Sequence, residues 1–208
     1  MRRFMWVLVV LAGCKDDGAA ASGPQSKAAP RGLAGVYPEK WRCDSVATLD
    51  ALGQLLGGTV KQLDSATSVP RGLPHPCNYE VQAQELEYWT FDIDCRDGMK
   101  QRADALFAQY KATSEELVQQ YNARPDAGVT KPTGDAGPPP HPPEPAHEVA
   151  VGAKGLDHHG QGLLFIDDDA PCYVRVVGKD AARRLALAQL LAKNLTFANA
   201  PMSPRAFP

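Results

Sequence analysis

The sequence predicts an α+β domain, an antiparallel sheet with helices packed on one face, stapled by disulfides. Three observations point there. Leu86 to Cys95 alternates strictly, with Trp89, Phe91, Ile93 and Cys95 on one side and Tyr88, Thr90, Asp92 and Asp94 on the other, the period of a strand with one buried and one wet face. Cys172, Val174 and Val176 repeat that alternation against Tyr173, Arg175 and Val177. Each of these strands follows another strand candidate and precedes an apolar helical stripe, so a strand-strand-helix unit occurs twice.

In chain order, Arg2 and Arg3 come first, then the unbroken apolar run Phe4 to Leu11, then small Ala12 and Gly13 before Cys14. Charge, grease and small residues in that order make a secretory signal. The run is far short of the roughly 20 apolar residues that a spanning helix needs. Leu11-Ala12-Gly13-Cys14 resembles a bacterial lipobox. The resemblance covers residues 1–14. It implies that residues 1–13 are removed, that the Cys14 sulfur carries a diacylglyceryl group, and that the new amine is acylated. Two or more acyl chains give firm attachment, each buried methylene adding about 0.8 kcal/mol. It also implies a cell-envelope protein facing the periplasm or cell exterior, and Lys15, standing where an aspartate would favour inner-membrane retention, tilts the choice to the outer membrane. The other reading of this stretch is an ordinary signal peptide with a coincidental cysteine.

Residues 14–36 then form the lipidated N-terminus and a tether of Ala, Gly, Ser, Pro, Lys and Asp, with too little apolar surface to order itself. A single domain is expected over residues 37–198. Asp44 or Ser45 caps a helix carrying Val46, Leu49, Leu52, Leu55 and Leu56, which Gly57-Gly58 ends. Thr59 to Pro76 reads as a loop full of breakers. Strands follow at Asn78 to Ala83 and Leu86 to Cys95. A helix from Asp97 or Gly98 aligns Met99, Ala103, Leu106, Phe107, Tyr110, Leu117, Val118 and Tyr121, with a restart near Ser114 where Thr113 and Glu116 form a capping box. Residues 122–146 are a proline-rich insertion, a disordered or polyproline-II excursion. It is either a tolerated insertion or a docking arm. Beyond it come strand candidates at Glu148 to Gly152 and Leu163 to Ile166, the turn Asp167 to Pro171, the Cys172 strand, and a helix from Asp180 aligning Leu185, Ala188, Leu191, Ala192 and Leu195. Residues 199–208 read as a frayed tail.

Composition excludes some functions. Removing residues 1–13 takes away Arg2 and Arg3, so the formal charge moves from −2 to about −4. There is no basic run, so no nucleic-acid partner is expected. With Cys14 given to lipid, Cys43, Cys77, Cys95 and Cys172 remain, an even set that suits an oxidising compartment and allows three connectivities. Cys95 closes an inward face and Cys172 opens one. Antiparallel neighbours bring those ends together, which pairs Cys95 with Cys172 and leaves Cys43 for Cys77.

Trp41-Arg42-Cys43-Asp44 opening the first helix, Leu56-Gly57 ending it, Pro76-Cys77-Asn78-Tyr79 opening a strand, and the late Val-x-Val strand with its Leu-rich helix resemble a family of small envelope lipoproteins. That family is abundant in mycobacteria and relatives, and its shared domain has no known function. The resemblance covers residues 40–197 and implies the fold, lipid anchoring and a Cys43–Cys77 bridge. It carries no catalytic residues.

No Gly-x-Ser-x-Gly, phosphate-cradling glycine loop or His-Glu-x-x-His occurs in the sequence. Three constellations remain. Asp92, Asp94 and Asp97, or Asp167, Asp168 and Asp169, could hold calcium through oxygen ligands, or be solvated strand-end and turn carboxylates. Asp157, His158 and His159 sit among Gly155, Gly160 and Gly162, either a plain loop or a transition-metal site. The expectation is a non-enzymatic, membrane-anchored lipoprotein with a binding or accessory role, held to lipid through Cys14, serving an envelope partner and needing no cofactor. The alternatives are a periplasm-facing hydrolase and a metal-binding lipoprotein.

Overall fold

The structure, a computed structural model, describes residues 32–65, 68–123, 144–158 and 160–206. The expectations for the signal, Cys14, most of the tether, residues 124–143 of the proline-rich segment and His159 therefore lie outside the described residues.

The fold is α+β, as the alternation predicts. In order it comprises β1 (Leu33–Ala34), α1 (Leu49–Leu56), β2 (Thr59–Leu63), β3 (Cys77–Gln82), β4 (Leu86–Asp94), α2 (Met99–Asn122), β5 (His147–Val149), β6 (Lys154–His158), β7 (Gly162–Ile166), β8 (Tyr173–Val177), α3 (Ala181–Asn194) and β9 (Arg205–Ala206). Seven strands form one antiparallel sheet in the order β2-β3-β4-β8-β7-β6-β5, and β1 pairs with β9. The first strand-strand-helix unit proves to hold three strands and the second, with β5 at the sheet edge, four. β2-β3-β4 leads to α2, β5-β6-β7-β8 leads to α3, and the two units join through their last strands, β4 and β8.

The added strands are those with least apolar signal. β2 is an edge strand in which Val60 packs on the core while Lys61 and Gln62 are exposed. β6 contains a glycine and two charged residues, Lys154 and Asp157, so it reads as a loop. Gly155 is required there, because a Cβ would lie 2.6 Å from Val151 Cγ1 and 2.7 Å from the Val149 carbonyl. No side chain fits where the neighbouring backbone comes that close.

The helices divide between the faces, which corrects the expectation of one covered face. Leu163, Phe165, Val174 and Val176 share a core with Leu52 and Leu56 of α1 and Leu187 and Leu191 of α3. Leu164 and Ile166, pointing the other way along β7, pack with Ala103 and Phe107 of α2. β7 is buried at every position because both of its faces are covered.

Capping explains the helix ends. α1 starts later than Asp44 or Ser45 suggested: Cys43–Ser45 is a 3-10 turn, and the Thr48 hydroxyl accepts from Ala51 N–H at 3.3 Å. Gly57, at φ 75°, ends it. α2 does not restart at Ser114. That hydroxyl donates to the Lys111 carbonyl at 2.8 Å and accepts from Ala146 N–H at 2.9 Å, which ties the far end of the proline-rich segment to the helix. Asp180 caps α3 through Arg183 N–H at 2.8 Å.

Disulfides join Cys43 to Cys77 and Cys95 to Cys172, the expected pairs. The folded unit also reaches past residues 37–198 at both ends. β1 pairs with β9, Ala200 and Met202 are buried, and the Trp41 indole N–H donates to the Asn199 carbonyl at 3.0 Å. The segment from Asn199 to Ala206 is docked and not frayed, because it gives that indole its acceptor and β1 its partner.

Candidate functional site

The acidic and histidine constellations are separated by the folding of their own strands. Asp157 and His158 are adjacent in β6, so their side chains leave opposite faces of the sheet. Asp157 is buried beneath α3. Its two oxygens accept from Arg184 Nη2 at 2.9 Å each, and Arg184 Nη1 donates to the Gly178 carbonyl at 2.8 Å. His158 lies on the α2 side, edge-on to Tyr110 at 5.8 Å between centroids. Its Nδ1 accepts from Gly160 N–H at 3.0 Å, which puts the proton of the neutral ring on Nε2. A metal site with Asp157 and His158 as ligands is therefore overturned: the segment is a strand that sends them apart, and Arg184 occupies the carboxylate. Among the described residues no group of three or more His, Cys, Asp or Glu could hold a metal ion.

The first acidic group is likewise distributed to separate arginines. Asp92 pairs with Arg175 at 2.6 Å, Asp94 with Arg96 at 2.7 Å and Asp97 with Arg205 at 3.3 Å. In the second, Asp167 Oδ2 accepts from Asp169 N–H at 3.1 Å and Ala170 N–H at 2.7 Å, while Asp169 accepts from Phe197 N–H at 2.9 Å. These turn carboxylates organise backbone. Asp167 is fully buried, and burial pushes its carboxyl up to about 6.

The structure instead assembles a cleft of about 360 Å³ on the α2 side of the sheet. Its floor is the β4–β8 ladder, where Asp92 stands directly opposite Arg175 and Asp94 opposite Tyr173. Burial, with Tyr110 nearby, pushes the Tyr173 hydroxyl up, so it stays protonated. One wall is α2, through Met99, Leu106 and Tyr110. The other is the loop before β3, through Val69, Pro70, Leu73, Pro74 and Pro76. That loop is set by its own chemistry. Leu73 N–H donates to the Pro70 carbonyl at 3.2 Å, and Gly72 takes φ 85°, the left-handed position of a type II turn. The prolines fix φ along the rest of the wall, so little ordering remains when something binds.

Sequence reasoning missed this site. Tyr173 and Arg175 read as outward positions of a strand, and Thr59 to Pro76 as a plain loop. The register that sets Asp92 against Arg175 joins residues 83 apart in sequence. The unusual proline density of residues 70–76 was the signal for a preformed wall.

No family model matches this chain, and neither does any curated protein or solved structure.

Proposed function

We propose that this chain is a lipid-anchored protein of the cell envelope whose folded domain binds a ligand and does not transform it. The anchoring half rests on residues 1–14, where charge, an apolar run and Ala12-Gly13-Cys14 follow in the order of a lipoprotein signal. Two disulfides in the domain suit an oxidising compartment. The outer membrane and an envelope partner belong to the same proposal, as does kinship with the small envelope lipoproteins, which rests on the motifs around Cys43 and Cys77 and on their bridge.

The observation that carries the binding half is the cleft. Its volume lies within the roughly 300–1,000 Å³ of small-ligand sites, and its walls are apolar and rigid. Among the described residues, those lining it include no serine, threonine, cysteine, lysine or histidine, and its carboxylates are paired with arginines. Such a lining holds a molecule and offers no activated nucleophile.

Metabolic labelling with an alkyne fatty acid tests the anchor. The wild type incorporates label and fractionates with membranes, and Cys14→Ala does neither; label retained in Cys14→Ala would sink the anchoring reading. Crosslinking in native membranes, with and without residues 124–143, then shows whether an envelope partner engages the domain or that segment.

A further inference from the structure

We propose that the cleft binds a small zwitterion with an apolar side chain, a free amino acid or a dipeptide. This deepens the ligand-binding reading and rests on it. The floor of the cleft is left open. Arg175 directs both Nε and Nη2 to a single oxygen, Asp92 Oδ2, at 2.8 and 2.6 Å. A closed arginine–carboxylate fork uses both oxygens. Here Asp92 Oδ1 and Arg175 Nη1 stand outside the two bonds, and the side chains keep 29% and 41% of their exposure. The floor therefore offers an anionic acceptor and a cationic donor side by side.

Charge decides what fits them. Asp92 and Asp94 are balanced by Arg175 and by Arg96, so the floor has no net charge. A purely anionic ligand gains from Arg175 and is repelled by Asp92, and a purely cationic one meets the reverse. A zwitterion satisfies both, its ammonium on Asp92 Oδ1 and its carboxylate on Arg175 Nη1. Its side chain then lies against Leu73, Pro74 and Leu106, where desolvation favours an apolar group. The space of about 360 Å³ suits one or two residues.

The test is isothermal titration of the full chain in detergent micelles with phenylalanine, leucine, glycyl-phenylalanine and glycyl-leucine. At least one is expected to saturate at one per chain. Its N-acetylated and its amidated forms, each carrying a single net charge, are expected to bind at least tenfold more weakly. Arg175→Gln is expected to lose at least tenfold in affinity. Leu106→Trp, which fills the cleft from the helix and leaves the ion pair intact, is expected to lose binding with the far-UV spectrum of the wild type. The capped ligands need no variant, so the proposal stays testable if Arg175→Gln folds poorly. Binding by none of the four, equal binding of the capped forms, or binding that survives Leu106→Trp overturns it. Lipid labelling plays no part in this readout, so the anchor and the ligand class fail separately.

Discussion

Two arginine–aspartate pairs sit on opposite faces of the same sheet, and they differ in what they leave unused. Asp157 and Arg184 are closed. Both carboxylate oxygens are taken, Nη1 has a carbonyl, and the side chains retain 5% and 10% exposure beneath α3. Asp92 and Arg175 are open, one oxygen carrying both bonds on the floor of a cleft. The residue types are the same, but Asp92 and Arg175 face each other across the β4–β8 ladder, whereas Asp157 on β6 meets an arginine of α3. The covering makes the difference: α3 turns the first pair into a structural pin between helix and sheet, whereas the gap between α2 and the proline loop leaves the second open to solvent.

The sharpest way to break this contrast is to remove one member of the closed pair. Asp157→Ala strands the buried Arg184 guanidinium, and a loss of about 3–5 kcal/mol is expected by urea denaturation. Replacing both, as Asp157→Leu with Arg184→Met, should cost much less than either single change, and a double-mutant cycle reads the difference. Next in size is the clamp on the ladder that carries the open pair. Cys95 follows β4 and Cys172 precedes β8, and their bridge closes a separation of 77 residues. The Cys95→Ala, Cys172→Ala double variant should lose about 3–4 kcal/mol, largely by freeing the unfolded chain.

Asp167 supplies a third case, a buried carboxyl with no arginine. Its folded-state value of about 6 lies above that of an ordinary carboxyl, so the folded protein holds the proton more tightly than the unfolded chain does. Its favourable contribution is therefore complete below about pH 4 and is lost as the pH rises through about 6. Asp167→Asn keeps the neutral form at every pH. Thermal melts should show the variant gaining on the wild type between about pH 4 and pH 7, by roughly 2–3 kcal/mol. A constant difference across that range would count against the raised value. The smallest effect belongs to the open pair itself: Asp92→Ala should cost no more than about 1 kcal/mol of stability, because solvent already screens it. A loss as large as that of Asp157→Ala would erase the distinction.

Much of this was readable in the chain, and the reasons differ by element. β4 was plain because Trp89, Phe91 and Ile93 must turn inward together, and the disulfide pairs followed from which ends of the β4 and β8 faces the cysteines occupy. β6 was hidden because Asp157 points into the interior, which only the distant Arg184 makes tolerable. The second covered face has its own signal in the chain. Leu163 to Ile166 is four apolar residues in a row, whereas a strand with one wet face would alternate. The cleft was not legible, since its floor depends on the β4–β8 register and its walls come from segments on either side of the first hairpin.

The β1–β9 clasp also sets how the domain responds to force. Tension drawn through Gly32 falls first on two residue pairs, Leu33 with Ala206 and Ala34 with Arg205, and on the bonds of Gly35 and Val36 to the Ala198 and Ala200 carbonyls. This short ladder peels before the large sheet is loaded. Trp41, packed in the core and bonded to the Asn199 carbonyl, resists next, and the slack can run no further than Cys43, whose bridge passes the load to Cys77 on β3, a strand flanked by neighbours on both sides. A pull therefore extends the chain by at most about 40 Å, the length of the residues between Gly32 and Cys43, before it meets a covalent stop. The clasp acts as a fuse ahead of that stop.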